Sequence, residues 1–176
     1  MNTFNSLLTL CRKRISAAVP HLSEKSGCLA EILFVPSFDC HGRIAYCRIF
    51  MHNDALCISY VHFRKYDFTL GRYTVISAEL SDNIFTDSFC GVVTADDRTA
   101  KELEMLISRI PSLDSPKSCS LHTDGYSHIV ISGECTFYWH NADISPAAEL
   151  LNSFADKVFS LLPCELRTID FQPDIS

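Results

Sequence analysis

Glycine is scarce in this chain, with six in 176 residues. Neither a Gly-x-Gly-x-x-Gly turn nor a Walker loop occurs, so a phosphate-cradling loop is not expected. Gly-x-Ser-x-Gly and His-Glu-x-x-His do not occur either, which removes the motif-level case for a nucleophile elbow or a zincin. The nine cysteines include no Cys-x-x-Cys pair. Long apolar runs are missing too. The apolar stretch at 29–35 is interrupted by Glu31, and nothing approaches the roughly 20 apolar residues a membrane span needs. A secretory signal carries its positive charge ahead of the apolar stretch, whereas Arg12-Lys13-Arg14 sits in the middle of residues 1–19. Basic charge is in deficit. Fifteen Lys and Arg face 21 Asp and Glu, giving a net charge of −6. That balance repels phosphate backbones and disfavours nucleic acid as a partner, while steering the protein toward a basic surface.

What is present is globular. Hydrophobic residues make up 47 % and charged residues 20 %. A chain this long buries roughly 70 % of its unfolded surface, so it needs no disulfide or metal to fold. One domain over 1–176 is expected, with 164–176 as a loose tail. An odd set of nine cysteines, several at apolar strand positions, reads as reduced and buried thiols in a cytoplasmic protein.

Residues 3–19 carry Phe4, Leu7, Leu8, Cys11, Ile15 and Val19 at helical spacing, with the basic triplet opposite and Pro20 as a stop. Residues 29–35 read as a strand and 36–42 as a turn. Residues 44–51 and 55–63 read as a hairpin closed at Asn53-Asp54. That turn pairs Met51 with Leu56, Ile49 with Ile58 and Cys47 with Tyr60. One face is then plainly core. The other carries Ile44, Tyr46, Arg48, Phe50, Cys57, Ser59, Val61 and Phe63, too apolar to stand in water, so a helix or a partner must cover it. Residues 72–80 alternate weakly as a strand, and 83–93 show no clear period. Thr94-Ala95-Asp96-Asp97 resembles a capping box, opening a helix that carries Ala100, Leu103, Ile107 and Ile110 and ends at Pro111. Residues 126–131 and 134–140 form a second hairpin, read with Ser132-Gly133 at the turn. That pairs Tyr126 with Trp139, His128 with Phe137 and Val130 with Cys135. Ser145 caps a last helix with Pro146 at its first position, and Pro163 ends it. The order predicts an α+β fold, an antiparallel sheet of about five to seven strands with three helices packed mainly on one face.

Candidate chemistry is sparse. Asp39-Cys40-His41-Gly42 is the densest reactive stretch, and a plain turn explains it. His52 and His62 stand at opposite ends of the first hairpin, and His128 shares an apolar face with Phe137 and Trp139. His122 and His140 flank the open end of the second hairpin. No metal and no cofactor is expected from these spacings. Two surfaces suggest binding. Glu79, Asp82, Asp87, Asp96 and Asp97 form an acidic series, and Tyr46, Arg48, Phe50 and Phe63 have the composition of an interaction hot spot.

Asp124-Gly125-Tyr126 opens a hairpin that runs to Phe137-Tyr138-Trp139, followed by a Pro-containing loop and a Leu/Phe-rich helix. This stretch, 124–162, resembles the C-terminal part of small bacterial α+β immunity proteins that neutralise toxins. The element order is also similar to type III secretion chaperones, apart from the strand read at 72–80. The resemblance implies a non-enzymatic binding protein whose partner is a toxin or effector with a basic surface. A small enzyme with a Cys/His or acidic pocket is the alternative.

Overall fold

The computed structural model describes residues 3–20, 27–36, 44–66, 85–114, 126–140 and 143–163. Its elements are helix α1 (Thr3–Ala18), strands β1 (Cys28–Pro36), β2 (Ile44–His52), β3 (Ala55–Tyr66) and β4 (Phe85–Thr94), helix α2 (Asp97–Arg109), strands β5 (Tyr126–Ser132) and β6 (Cys135–His140), and helix α3 (Pro146–Ser160). The six strands form one sheet in the order β4-β3-β2-β1-β5-β6, every neighbouring pair antiparallel. The fold is α+β, as the element order predicts. The strand read at 72–80 lies outside the described residues, as do Asp39–Gly42 and the tail at 164–176. Residues 85–94, which lack a clear period in sequence, pair with β3 along its length as β4.

The first hairpin forms with the expected register. Met51 pairs with Leu56, Ile49 with Ile58 and Cys47 with Tyr60. Asn53 and Asp54 turn it with φ of 48° and 62°. Both lie in the left-handed region, which a two-residue turn of this kind needs and which Asn and Asp tolerate best after glycine.

The second hairpin departs from the expected register by two residues. Its turn is Gly133-Glu134, not Ser132-Gly133. Ser132 pairs with Cys135, Val130 with Phe137 and His128 with Trp139. Gly133 takes φ of +59° as the first turn residue, a position that two-residue hairpins give to glycine. A slip of two leaves every side chain on its face, so the apolar pattern could not reveal it. Only the backbone demand of the turn distinguishes the two registers.

Helices cover both faces. On one, Leu103, Ile107 and Ile110 after α2 and Leu150, Leu151, Phe154, Ala155 and Val158 of α3 pack on Ile32, Cys47, Ile49, Leu56, Ile58, Val130, Phe137 and Trp139. On the other, Leu7, Leu8, Leu10, Cys11 and Ile15 of α1 pack on Leu33, Ile44, Tyr46, Val61, Phe63 and Ile129. Two of the three helices therefore share a face. Helix α3 starts as its sequence dictates: the Ser145 hydroxyl accepts the Ala148 N–H at 3.0 Å, with Pro146 at the first position. Helix α2 starts two residues later than the capping-box reading. Its cap is Asp96, whose carboxylate accepts the Thr99 N–H at 2.8 Å and the Thr99 hydroxyl at 3.0 Å. Thr94 instead completes β4, paired with Cys57. Gly91 of β4 lies opposite Tyr60, and a β-carbon there would come within 2.5 Å of the Tyr60 hydroxyl oxygen.

Candidate functional site

The aromatic hot-spot candidates are interior residues. Tyr46 and Phe63 are fully buried under α1, and Phe50 is 2 % exposed. Their alternation on β2 and β3 produces a second apolar face, and α1 takes it because its own stripe needs a surface. A partner cannot reach Tyr46 or Phe63 while α1 is seated. Of the four, Arg48 alone keeps partial exposure. It stands opposite Glu31 across the β1–β2 ladder.

Glu31 links this face to α1. Two N–H groups of Arg12 donate to one of its carboxylate oxygens, at 2.6 and 2.9 Å. Arg12 is 47 % exposed at its side chain, so the pair is screened and worth at most about 1 kcal/mol. Burial, followed by the nearby Glu31 charge, raises the Tyr46 hydroxyl above its usual range and keeps it protonated. The Cys28 thiol lies 3.7 Å from the other Glu31 oxygen and is exposed. Burial of its surroundings raises it too, so no thiolate is favoured there.

The acidic series divides. Glu79 and Asp82 lie outside the described residues, and Asp87 is placed only as a position on β4. Asp96 and Asp97 are exposed at the start of α2. Asp96 serves the helix as its cap, and the hydrogen bond from the Thr99 backbone, then that from its hydroxyl, lowers its carboxyl. Asp97 stands free of that duty in the first turn, where the helix dipole favours an acid. Around them the layer formed by α2, α3 and their flanks exposes Asp96, Asp97, Glu104, Asp114, Glu149 and Asp156 against Arg98, Lys101 and Arg109. Glu102 is taken up between Arg98, at 3.1 Å, and Lys157 of α3. Helix α1, by contrast, contains no acid and exposes Arg12 and Lys13. Among the described residues, the two-helix layer is thus acidic and α1 basic.

Among the described residues, Cys11, Cys47, His62 and His128 are built into the scaffold. Burial pushes the Cys11 and Cys47 thiols far above their usual range. His62 is 1 % exposed on β3. Its register partner Ala45 stands seven residues from His52 along β2, so His52 and His62 lie roughly 24 Å apart along the strand. His62 and His128 share one row across the sheet, Phe89–His62–Ala45–Phe34–His128–Trp139. Three interstrand steps separate the two imidazoles, about 14 Å, so they cannot hold one ion. Among the described residues, no group of three or more His, Cys, Asp and Glu could hold a metal ion. His122 lies outside them. His140 is buried, and its backbone N–H donates to Asp143 at 2.7 Å.

His128 is the group that sequence reasoning misplaced. The two-residue register slip puts it beside Trp139, not Phe137. The rings stack with centroids 4.6 Å apart and planes 15° apart, and Phe34 meets the imidazole edge-on at 5.0 Å. Burial, helped by the His140 charge, pushes His128 down to about 4 and keeps it neutral. The signal that could have found this neighbourhood is Gly133, the residue best suited to the first turn position.

No family model, no curated protein and no solved structure matches the chain. No helix among the described residues is long and apolar enough to cross a membrane.

Proposed function

We propose that this chain is a protein-binding domain that acts through its acidic two-helix layer, and that its partner is a toxin-like protein with a basic surface, neutralised by direct binding. The observation that carries this reading is the placement of Asp97 and Glu104, exposed on α2 within a layer whose described residues include six exposed acids against three exposed bases. Acids that hold no structural contact keep their charge available for a partner, and such charge sets association rate and specificity. The scaffold role of Cys11, Cys47 and His128 supports a binding reading over a catalytic one, because none of them is poised as a nucleophile or base near neutral pH.

The test is a binding measurement with the product of the neighbouring gene at two ionic strengths. Charge reversal of Asp97 and Glu104 to Lys should weaken binding at least about tenfold at low salt and leave the circular dichroism unchanged. Asp96 is kept, since its loss would loosen α2 and confuse the result. Unchanged affinity in the double variant overturns the choice of surface. A neighbouring product that proves to be a secreted effector, kept soluble by this chain, replaces neutralisation with a chaperone role.

A further inference from the structure

Strand β5 presents His128 to the face that α3 covers, and both rings that bracket it also hold that helix. Trp139 Nε1 donates to Asn152 Oδ1 at 2.7 Å. Phe34 meets Phe159 edge-on at 5.2 Å. Asn152 and Phe159 are seven residues apart, about two turns, so the bracket reaches the middle and the end of α3.

We propose that His128 is an acid-sensitive latch for α3, in which uptake of a proton disrupts the ring stack through which Trp139 and Phe34 hold the helix. His128 is 6 % exposed, and its Nδ1 has no hydrogen-bond partner among the described residues. A proton there would place a charge and an N–H donor in an apolar setting without an acceptor. Among the described residues, the neighbouring elements supply no compensating anion. On β6 the titratable neighbour is His140, whose charge repels, while the Asp143 carboxylate, which accepts the His140 N–H, is not among the groups that act on His128. On β1 the residues of this face, Ile32 and Phe34, are apolar. On α3 the contacts are the uncharged Asn152 and Phe159, while Lys157 pairs with Glu102 of α2 and Glu149 and Asp156 are exposed. The Trp139 face attracts a cation, but burial without an acceptor opposes it more strongly.

The sign follows from the two ends of the equilibrium. A released imidazole takes its proton near 6.5, and the latched ring resists until about 4. The latch is therefore closed above pH 6.5 and loosens as pH falls through that window.

Trp139 is the single tryptophan of the chain, so its fluorescence reports the stack directly. Between pH 8 and 3.5 its emission should shift, and α3 amides should lose at least tenfold in exchange protection, with a shared midpoint between the two values above. His128→Phe keeps an aromatic ring in the bracket and removes the proton site; its transition should move about one unit or more toward acid. His140→Gln should retain the transition. Wild-type signals that stay flat to pH 4, an unmoved midpoint in His128→Phe, or a transition abolished by His140→Gln would each overturn the proposal. Should His128→Phe fail to fold, the wild-type ring and the α3 amides can be followed together by NMR, and a titrating ring with unchanged α3 protection overturns it as well.

Discussion

At the scale of single residues, the chain repeatedly uses side chains that look reactive to solve local structural problems. Asp96 is the clearest case. It belongs to a run of acids that reads as a docking patch, yet its carboxylate binds both Thr99 donors at the start of α2. Asp97, one position later, has no such task. The two acids are therefore separable by experiment. Asp96→Ala removes the cap and should lower Tm by roughly 2–4 °C in a thermal melt, while Asp97→Ala should change it little. An equal effect of both would mean that the cap contributes nothing in solution. Cys47 and Tyr46 make the same point from the interior, one as a small apolar filler and one as a ring whose hydroxyl is held protonated. Their neighbours in sequence do not announce this. Period-two alternation shows that Cys47 is core and that Tyr46 faces the other way, but it cannot say whether a helix or a partner covers that second face.

At the scale of elements, most of the fold was legible in residue patterns. The α1 stripe, the Asn53-Asp54 turn and the Ser145-Pro146 start each rest on a local rule, and each stands in the structure where the rule puts it. The misses also have local causes. The second hairpin could turn at either of two adjacent dipeptides without moving a side chain to the wrong face, and the φ of Gly133 decided it. Strand β4 lacks a clear period because its pattern mixes Gly91, shaped to accept Tyr60, with polar positions near the edge of the sheet. Helix α3 contributes most to the larger core, and Phe154 at its centre is fully buried. Phe154→Ala should cost about 3–5 kcal/mol in denaturant unfolding, because the sheet beneath cannot close over the space left. A loss below about 1 kcal/mol would show that α3 packs less tightly than the structure has it.

At the scale of the whole molecule, the sheet is covered on both sides, and its strands differ in how far they lie from an edge. Strands β1 and β2 occupy the middle of the order, flanked on both sides and under helices on both faces. Their amides should be the slowest to exchange with solvent, at rates set by global unfolding, while β4 and β6 exchange faster at the margins. Faster exchange in β2 than in β6 would contradict the strand order. The charge distribution is also a property of this scale. A net charge of −6 says only that the protein is acidic, whereas the layering separates an acid-free α1 from the acid-rich α2 and α3 surface. Docking by charge depends on that separation, since opposite signs mixed evenly over a surface would cancel within a Debye length, about 8 Å at physiological salt.

The amino-acid sequence by itself determined the three helices, β1, the two hairpins with the faces of their strands, and the α+β class, because periodicity, caps and turn residues act over a few positions and are written there. Tertiary structure alone decided that α1, and not a partner, covers Tyr46 and Phe63, and that His128 stacks on Trp139. Both outcomes depend on which distant segments meet, and burial is a property of the meeting, not of either segment.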